Sequence, residues 1–599
     1  MFKHTYSCCL GFFFYGGLAA LVLALPVWYF CIYAPPLVVS EATTYITGPL
    51  TADGQVDYFK ALEERIYPPE LATDDNGFRE FVRQFGYVRE RPFAESVTAE
   101  PKLTPEDHEF YRRQLCEKLG LDPNDLPALV FPEEPIRVFL DHYQAIEETP
   151  PESVITFKGG CCSPGYELYE ENSWLRPWTL EQFPMFADWL DEIEAPMAVV
   201  AEAVRKPVFF APLLQSRESV QSGKNHNIFE TLLPGSNAAR SIRTILQARA
   251  NYRSAIGDID GAIDDKLTMH RLGRLTTQGA CATQYFTGYG LEQIAMTLPI
   301  GTNPEHPLTE QQIRRMLDGL DALPPRGTFA DGYEWCRLAV MSDCQHLMHD
   351  PVFETMFFVT QSRPPFSDWN VVFRRVNEVC NILLVDPPPR VDGEFVRVDD
   401  IAQFPYEPWH YFPRILTSRG RGMLTADILL CWAMPPTGLM ETTIQRLPCS
   451  ENMQRLTLAI LLYQLEHGEM PDENWAAQIE KYLGENPEQY FSCPSRPSPP
   501  GFTTYALVQY DDTVVGSHDM ILLVEVSTPV PLGEAVVTAD EVLEMAKIMP
   551  NNRGRFRDSP HDYVNIVSYR SGAVRALYAD RAKELHRALG REEEKSNEE

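Results

Sequence analysis

Three groups of side chains in this sequence have types and spacings that could do chemistry. His346, His349 and Asp350 follow Cys344 closely, and on a helix the spacings i, i+3 and i+4 would gather the first three on one face. A metal site needs that convergence plus one more ligand, and helical His pairs are mostly structural, so no metal is assigned there. Asp511, Asp512 and Asp519 form an acidic cluster whose hard oxygens would suit calcium. A solvated acidic hairpin is the simpler expectation, so calcium stays an option rather than an assignment. Cys161-Cys162 is a vicinal thiol pair in the turn-rich stretch Gly159–Gly165, without a histidine spaced as in a nucleophile motif. The chain contains no G-x-S-x-G, H-E-x-x-H, P-loop or G-x-G-x-x-G. No catalytic or cofactor-binding residue is therefore assigned, and the expectation leans against an enzyme.

Something must position these groups, and the N-terminus sets the frame. No charged residue occurs from Leu10 to Tyr33, with Lys3 before the run and Glu41 the first charge after it. About 20 apolar residues at ~1.5 Å rise each cross a bilayer core, so 10–33 predicts a single transmembrane anchor. The positive-inside rule places residues 1–9 in the cytoplasm and the rest outside. Trp28, Tyr29 and Tyr33 stand at the far end, where aromatic rings favour the interface. A cleaved signal peptide is the alternative, but its apolar core would be shorter, about 7–15 residues, and followed sooner by small residues.

The whole chain carries 84 acidic against 52 basic residues, a net charge of −32 that argues against nucleic acid or anionic lipid as a partner of the main body. With 44% hydrophobic residues it can bury large cores, and its 49 prolines imply frequent breaks between helices. Ten cysteines lie past the anchor at irregular spacing. Cys281, Cys380 and Cys431 sit in apolar contexts as small buried hydrophobes, and Cys449 with Cys493, flanking one compact segment, is the single disulfide suggested.

Helix signals are frequent. Residues 34–177 read as a juxtamembrane and linker region with short helices over Val56–Arg65 and Gly77–Phe85. A further helix is capped by Thr104, opened by Pro105 and closed by Gly120. Residues 178–445 read as a helical domain. Thr179 and Gln182 have capping-box spacing, Pro207–Pro212 is extended, and helices follow over Ala238–Ile256, Ile259–Leu272 and Thr276–Leu298. Another opens at Thr309/Gln312, with Ile313, Met316, Leu317 and Leu320 on one face. Phe404–Pro413 is an irregular aromatic stretch, and Ser418–Gly422 reads as a basic turn.

Residues 446–585 predict an α+β domain, of which residues about 449–580 should fold alone, followed by a charged tail, 586–599. Ser450 caps a helix carrying Met453, Leu456, Ile460 and Tyr463, which Gly468 ends; a shorter helix spans Trp475–Leu483. Strand-like runs follow at Thr503–Val508, Ile521–Val526, Val564–Ser568 and Ala573–Leu577. The fold class expected is mainly α, with a small antiparallel sheet packed on one long helix at the C-terminus.

Two passages carry resemblances. Leu458-Ala459 through Leu462-Tyr463, Glu466-His467-Gly468-Glu469 and Pro471, with His561, Asn565 and Arg570–Val574, resemble the globular domain of the type II secretion major pseudopilin and other prepilin-like exported bacterial proteins. Ser571 stands where that family has Asp, and Gly16 where its peptidase site has Glu. The resemblance implies an α+β fold, export, and calcium near Asp511, Asp512 and Asp519. The segment Ala250–Ile263, with Ser254, Gly257 and Gly261, is similar to the turn of a tetratricopeptide-type helix pair, and the central block resembles uncharacterised exported bacterial proteins. Together these predict a single-pass protein of the bacterial inner membrane with its bulk in the periplasm. It would be a non-catalytic scaffold or interaction protein that meets other envelope proteins. The alternatives are an envelope hydrolase with an unrecognised site and an accessory component of a secretion system.

Overall fold

The computed structural model describes residues 28–86, 104–126, 131–145, 176–222, 227–279, 281–301, 305–349, 367–383, 390–391, 394–396, 401, 414, 416–433, 437–494, 497–510, 521–542, 565–569 and 574–577. Most of it is helix: α1 (Tyr58–Ile66), α2 (Gly77–Phe85), α3 (Pro105–Leu119), α4 (Pro135–Ala145), α5 (Ala187–Arg205), α6 (Pro234–Ile256), α7 (Ile259–Thr277), α8 (Ala282–Thr297), α9 (Glu310–Asp321), α10 (Phe329–His349), α11 (Trp369–Leu383), α12 (Ser418–Ala433), α13 (Thr437–His467) and α14 (Trp475–Ile479). Arg390–Val391 (β1) and Glu394–Phe395 (β2) pair as a minimal antiparallel ladder. The remaining strands are β3 (Phe502–Gln509), β4 (Ile521–Pro531), β5 (Val536–Thr538), β6 (Asn565–Tyr569) and β7 (Val574–Leu577).

The proposed span lies mostly outside the described residues. Trp28–Ile32 forms one π-helical turn, and among the described residues no helix is long and apolar enough to cross a membrane. Cys161-Cys162, Phe404–Pro413 and the tail from 586 also lie outside them.

The chain divides into two compact units, each built from separate segments. The first takes Met1–Tyr67, Leu213–Leu232 and Phe329–Thr437; the second takes Pro68–Pro212, Leu233–Thr328 and Gly438–Glu599. In the first, α11 packs on α12 and α10, and α10 also packs on α1. Val372, Phe373, Val376 and Cys380 of α11 are fully buried.

In the second unit local signals do what their chemistry predicts. Thr104 and Asp107 form a reciprocal capping box, Pro105 occupies the first turn, and Gly120 closes α3 at φ 61°. Thr309 and Gln312 cap α9 in the same way. Gly257, at φ 85°, turns α6 into α7, and the Asp258 carboxylate accepts from the Gly261 N–H at 3.1 Å. Glycine suits the first position because a Cβ penalises left-handed backbone. Thr179 and Gln182 bond one another, but the helix begins only at Ala187, after a 3-10 turn at Pro184–Phe186.

The C-terminal segment departs from expectation at three points. Ser450 is not a cap: α13 starts at Thr437 and runs through Pro448. A proline forfeits one backbone hydrogen bond, which a long, well-packed helix tolerates. The sheet, in order β5-β3-β4-β6-β7, is mixed rather than antiparallel, because β5 joins β3 in parallel. At three residues β5 is too short for a periodic signal, and the Leu507 N–H donating to Ala535 helps to place it. The core is also shared: Met453, Leu456 and Ile460 of α13 belong to one cluster with Leu507 and Leu523 of the sheet, and with Ile263 of α7 and Ile313, Met316 and Leu320 of α9. A fragment beginning at 449 would bare that second side, so the packing does not support a segment that folds alone. Cys449 and Cys493 are joined as a disulfide with Cα atoms 5.0 Å apart. Closing 44 residues of chain contributes roughly 4 kcal/mol in the chain-entropy picture. In the first unit Ser418–Gly422 opens α12 rather than forming a turn.

Helices α7 and α8 approach most closely where Gly273 faces Gly288. A Cβ on Gly273 would come 2.8 Å from the Gly288 carbonyl oxygen, and one on Gly288 would come 2.6 Å from the Thr277 nitrogen, while Gly290 faces open space. Gly288→Ala is expected to lower stability by about 1–3 kcal/mol through forced separation of the helices. Gly290→Ala should be neutral or stabilise by up to ~1 kcal/mol through helix propensity. Urea unfolding of both variants checks this, and equal effects would show that the crossing is not tight.

Candidate functional site

The close crossing of α7 and α8 brings charge inside. Lys266, His270 and Arg274 recur every fourth residue of α7, so they form one stripe, and all three are buried. Glu292 of α8 is wholly buried and lies against Arg274, with Nε to Oε2 at 2.5 Å. Arg326, on the segment after α9, donates to both Glu292 oxygens at 2.8–2.9 Å. Glu451 of α13 completes the ring: its Oε2 accepts from Arg274 and Arg326, each at 2.7 Å. Arg455, one turn further along α13, reaches Glu451 at 3.4 Å and pairs with Asp321 at the end of α9.

Each shift in acidity has a cause in this geometry. Burial pushes the Glu292 carboxyl up, while Arg326 and Arg274 pull it back. Burial would also raise Glu451, but Arg326, Arg274 and Arg455 more than offset it, so its carboxyl sits below the ordinary value. Burial would lower Arg326, yet Glu292 and Glu451 raise it. Removing any one partner would leave an uncompensated charge buried among the others. Lys266 differs: its ammonium donates to the Leu298 carbonyl at 3.1 Å, and burial pushes it down to about 7. His270 is driven well below its ordinary value by burial and then by Lys266, Arg274, Arg326 and Arg455. Both its ring nitrogens are buried without a hydrogen-bond partner.

A second network lies on the other side of the helix hairpin. Arg249 of α6 makes a two-pronged contact with buried Asp265 of α7, at 2.5 and 3.1 Å. Arg253, one turn on, reaches Asp265 and bonds Glu194 of α5 at 2.8 Å. Together the networks join α5 to α6 and α7, and α7 to α8, α9 and α13. The arrangement can hold helices in register, and its burial favours the uncharged forms of one amine and one imidazole.

The groups singled out by sequence fall elsewhere. His346 is half-buried on α10, His349 is the last residue of that helix, and Asp350, Asp511, Asp512 and Asp519 lie outside the described residues. Cys344 is wholly buried and its thiol is pushed well above the ordinary value by burial and then by Asp343, which disfavours a thiolate ligand. Among the described residues Cys449, Cys493 and Glu525 place ligand atoms within 4.8 Å of one another, but the disulfide engages both sulfurs. The Lys266–His270–Arg274 stripe was missed by sequence reasoning. Its four-residue spacing was the available signal, yet a basic stripe on a helix normally marks a solvated face. Glu292, the acid that makes it internal, lies on another helix. No protein family, curated protein or solved structure matches this chain.

Lys266 gives a pH test. The unfolded chain keeps this proton up to the ordinary 10.5, whereas the folded protein releases it near 7, so stability rises with pH between those values. Below about 7 the penalty is on the order of 5 kcal/mol, since each pKa unit is worth ~1.4 kcal/mol. Lys266→Met should therefore be more stable than the parent at pH 7, with a gap that shrinks towards pH 10. Urea unfolding of both proteins at pH 7, 8.5 and 10 reads this, and a gap constant with pH would mean that the amine stays charged inside.

Proposed function

We propose that this chain is a membrane-tethered scaffold or interaction protein of a bacterial envelope, without catalytic activity. In this reading one N-terminal span, residues 10–33, carries it, with the bulk on the periplasmic side of the inner membrane. The observation that carries the non-catalytic reading is the closed charge network of the second unit. Arg274, Arg326 and Arg455 bond Glu292, Glu451 and Asp321, so these ionisable groups engage one another and fasten segments together. The Cys449–Cys493 disulfide supports the exported side, because structural disulfides persist in oxidising compartments. The apolar, uncharged run before Tyr33 supports the tether. Other envelope proteins are the partners this reading calls for.

One observation favours a second reading, an envelope hydrolase or other enzyme. Lys266, pushed down to about 7, stands one helical turn from the unpartnered imidazole of His270, and an amine with that acidity suits a general base. Such a base must be reachable. Treating the native protein with pyridoxal phosphate and borohydride, then mapping modified lysines, should leave Lys266 untouched. Its modification in the folded protein would overturn the non-catalytic reading.

Orientation is tested separately. Protease added to spheroplasts should digest residues beyond about 41, and a thiol reagent should label Cys449 and Cys493 only after reduction and unfolding. Full protection from protease would reverse the topology. A mature N-terminus near Glu41 would show that 10–33 is a cleaved signal peptide.

A further inference from the structure

The first unit holds the chain tightly where it enters the described residues. The Ser418 hydroxyl at the start of α12 donates to the Phe30 carbonyl at 3.4 Å, and Arg421 donates to the Cys31 carbonyl. Asn370, in the first turn of α11, accepts from the Val38 N–H at 2.8 Å and donates to the Pro36 carbonyl at 2.9 Å. Two turns further along the same face of α11, Asn377 donates to the Glu41 carbonyl at 2.8 Å. Five hydrogen bonds thus tie residues 30–41 to two helices that pack on each other, so this stretch is a fixed strap rather than a linker.

The strap begins in an exposed aromatic cluster. Tyr29 and Tyr33 stack with ring centroids 5.8 Å apart, and Trp28 lies 5.3 Å from Tyr33. Phe30 is 60% exposed, although burying such a ring is worth about 1.5–3 kcal/mol. Leu416, two residues before Ser418, is 54% exposed, and Arg419 beside it is exposed as well. Apolar rings with polar tips, an aliphatic side chain and a guanidinium form the mixture favoured in the headgroup layer of a bilayer.

We propose that this corner, the Trp28–Tyr33 turn together with Leu416 and Arg419 at the start of α12, is a lipid-contact platform that fixes the first unit against the membrane surface. The inference rests on the anchor reading above. What selects lipid as the occupant is the chain itself: the residues from Leu10 to Val27 carry no charge and lead directly into Trp28. A span over 10–33, with Trp28–Tyr33 as its far end, delivers the aromatic cluster at the interface, and the strap brings the start of α12 to the same depth. Arg419 then reaches lipid phosphate, a contact that zwitterionic lipid also supplies despite the protein's net charge of −32.

The full-length protein, reconstituted in phosphatidylcholine vesicles, tests this with a photo-crosslinking benzophenone residue placed in turn at Tyr29 and at Leu416. Lipid adducts at both positions are expected. Adduct at Tyr29 but not at Leu416 would overturn the platform and leave the anchor standing. Adduct at neither would overturn the anchor and the platform with it. Protein crosslinks replacing lipid at Leu416 would make the corner a protein-binding surface and so overturn the proposal. The double variant Asn370→Ala/Asn377→Ala should lose the adduct at Leu416 while keeping that at Tyr29, and retention at both would show that the strap does not set the orientation.

Discussion

The second unit depends on one constraint: a carboxylate buried between helices must be neutralised by cations from more than one of them. Glu292 has no exposure, and two guanidiniums from α7 and from the segment after α9 meet it. Glu451 shares both and adds the one on Arg455. Buried ion pairs often add little net stability compared with apolar side chains of the same volume, but losing one partner costs about 3–5 kcal/mol. Their physical role here is registry. Arg274 of α7, Glu292 of α8 and Glu451 of α13 meet directly or through Arg326, so a slip of any one of these helices would separate charges that are now paired.

That constraint depends in turn on close backbone approach. Glycines facing each other at positions 273 and 288 let α7 and α8 come near enough for Arg274 and Glu292 to bond at 2.5 Å. The hydrophobic cluster then continues from α7 and α9 into α13 and the sheet, and the disulfide ties α13 to the segment before β3. The C-terminal segment looks self-contained along the chain, yet its long helix also packs on Ile263, Ile313, Met316 and Leu320, which lie more than a hundred positions earlier.

Legibility in the sequence followed the range of the physics. Caps and turns are local, and so Thr104, Pro105, Gly120, Thr309 and Gly257 identified their elements, as did the apolar faces of α9 and α13. Strand β5 and the start of α13 depend on pairing and packing, which leave little mark in three residues of β5 or in a helix with an internal proline. The disulfide was legible because its cysteines bracket one compact segment. The buried network was not, because Arg274, Glu292, Arg326 and Glu451 are scattered over the chain and each alone looks like a surface charge. The strap in the first unit escaped for the same reason: Asn370 and Asn377 act on backbone more than three hundred residues away.

The registry claim is tested most directly by a double-mutant cycle on Arg326 and Glu292, with each changed to Met singly and together, followed by urea unfolding at pH 7. Each single change leaves a buried charge unmatched, so each is predicted to cost about 3–5 kcal/mol. The double variant should cost much less than their sum, with a coupling above ~2 kcal/mol. Single costs that simply add would contradict the account, because they would mean that the two residues stabilise the fold independently of one another.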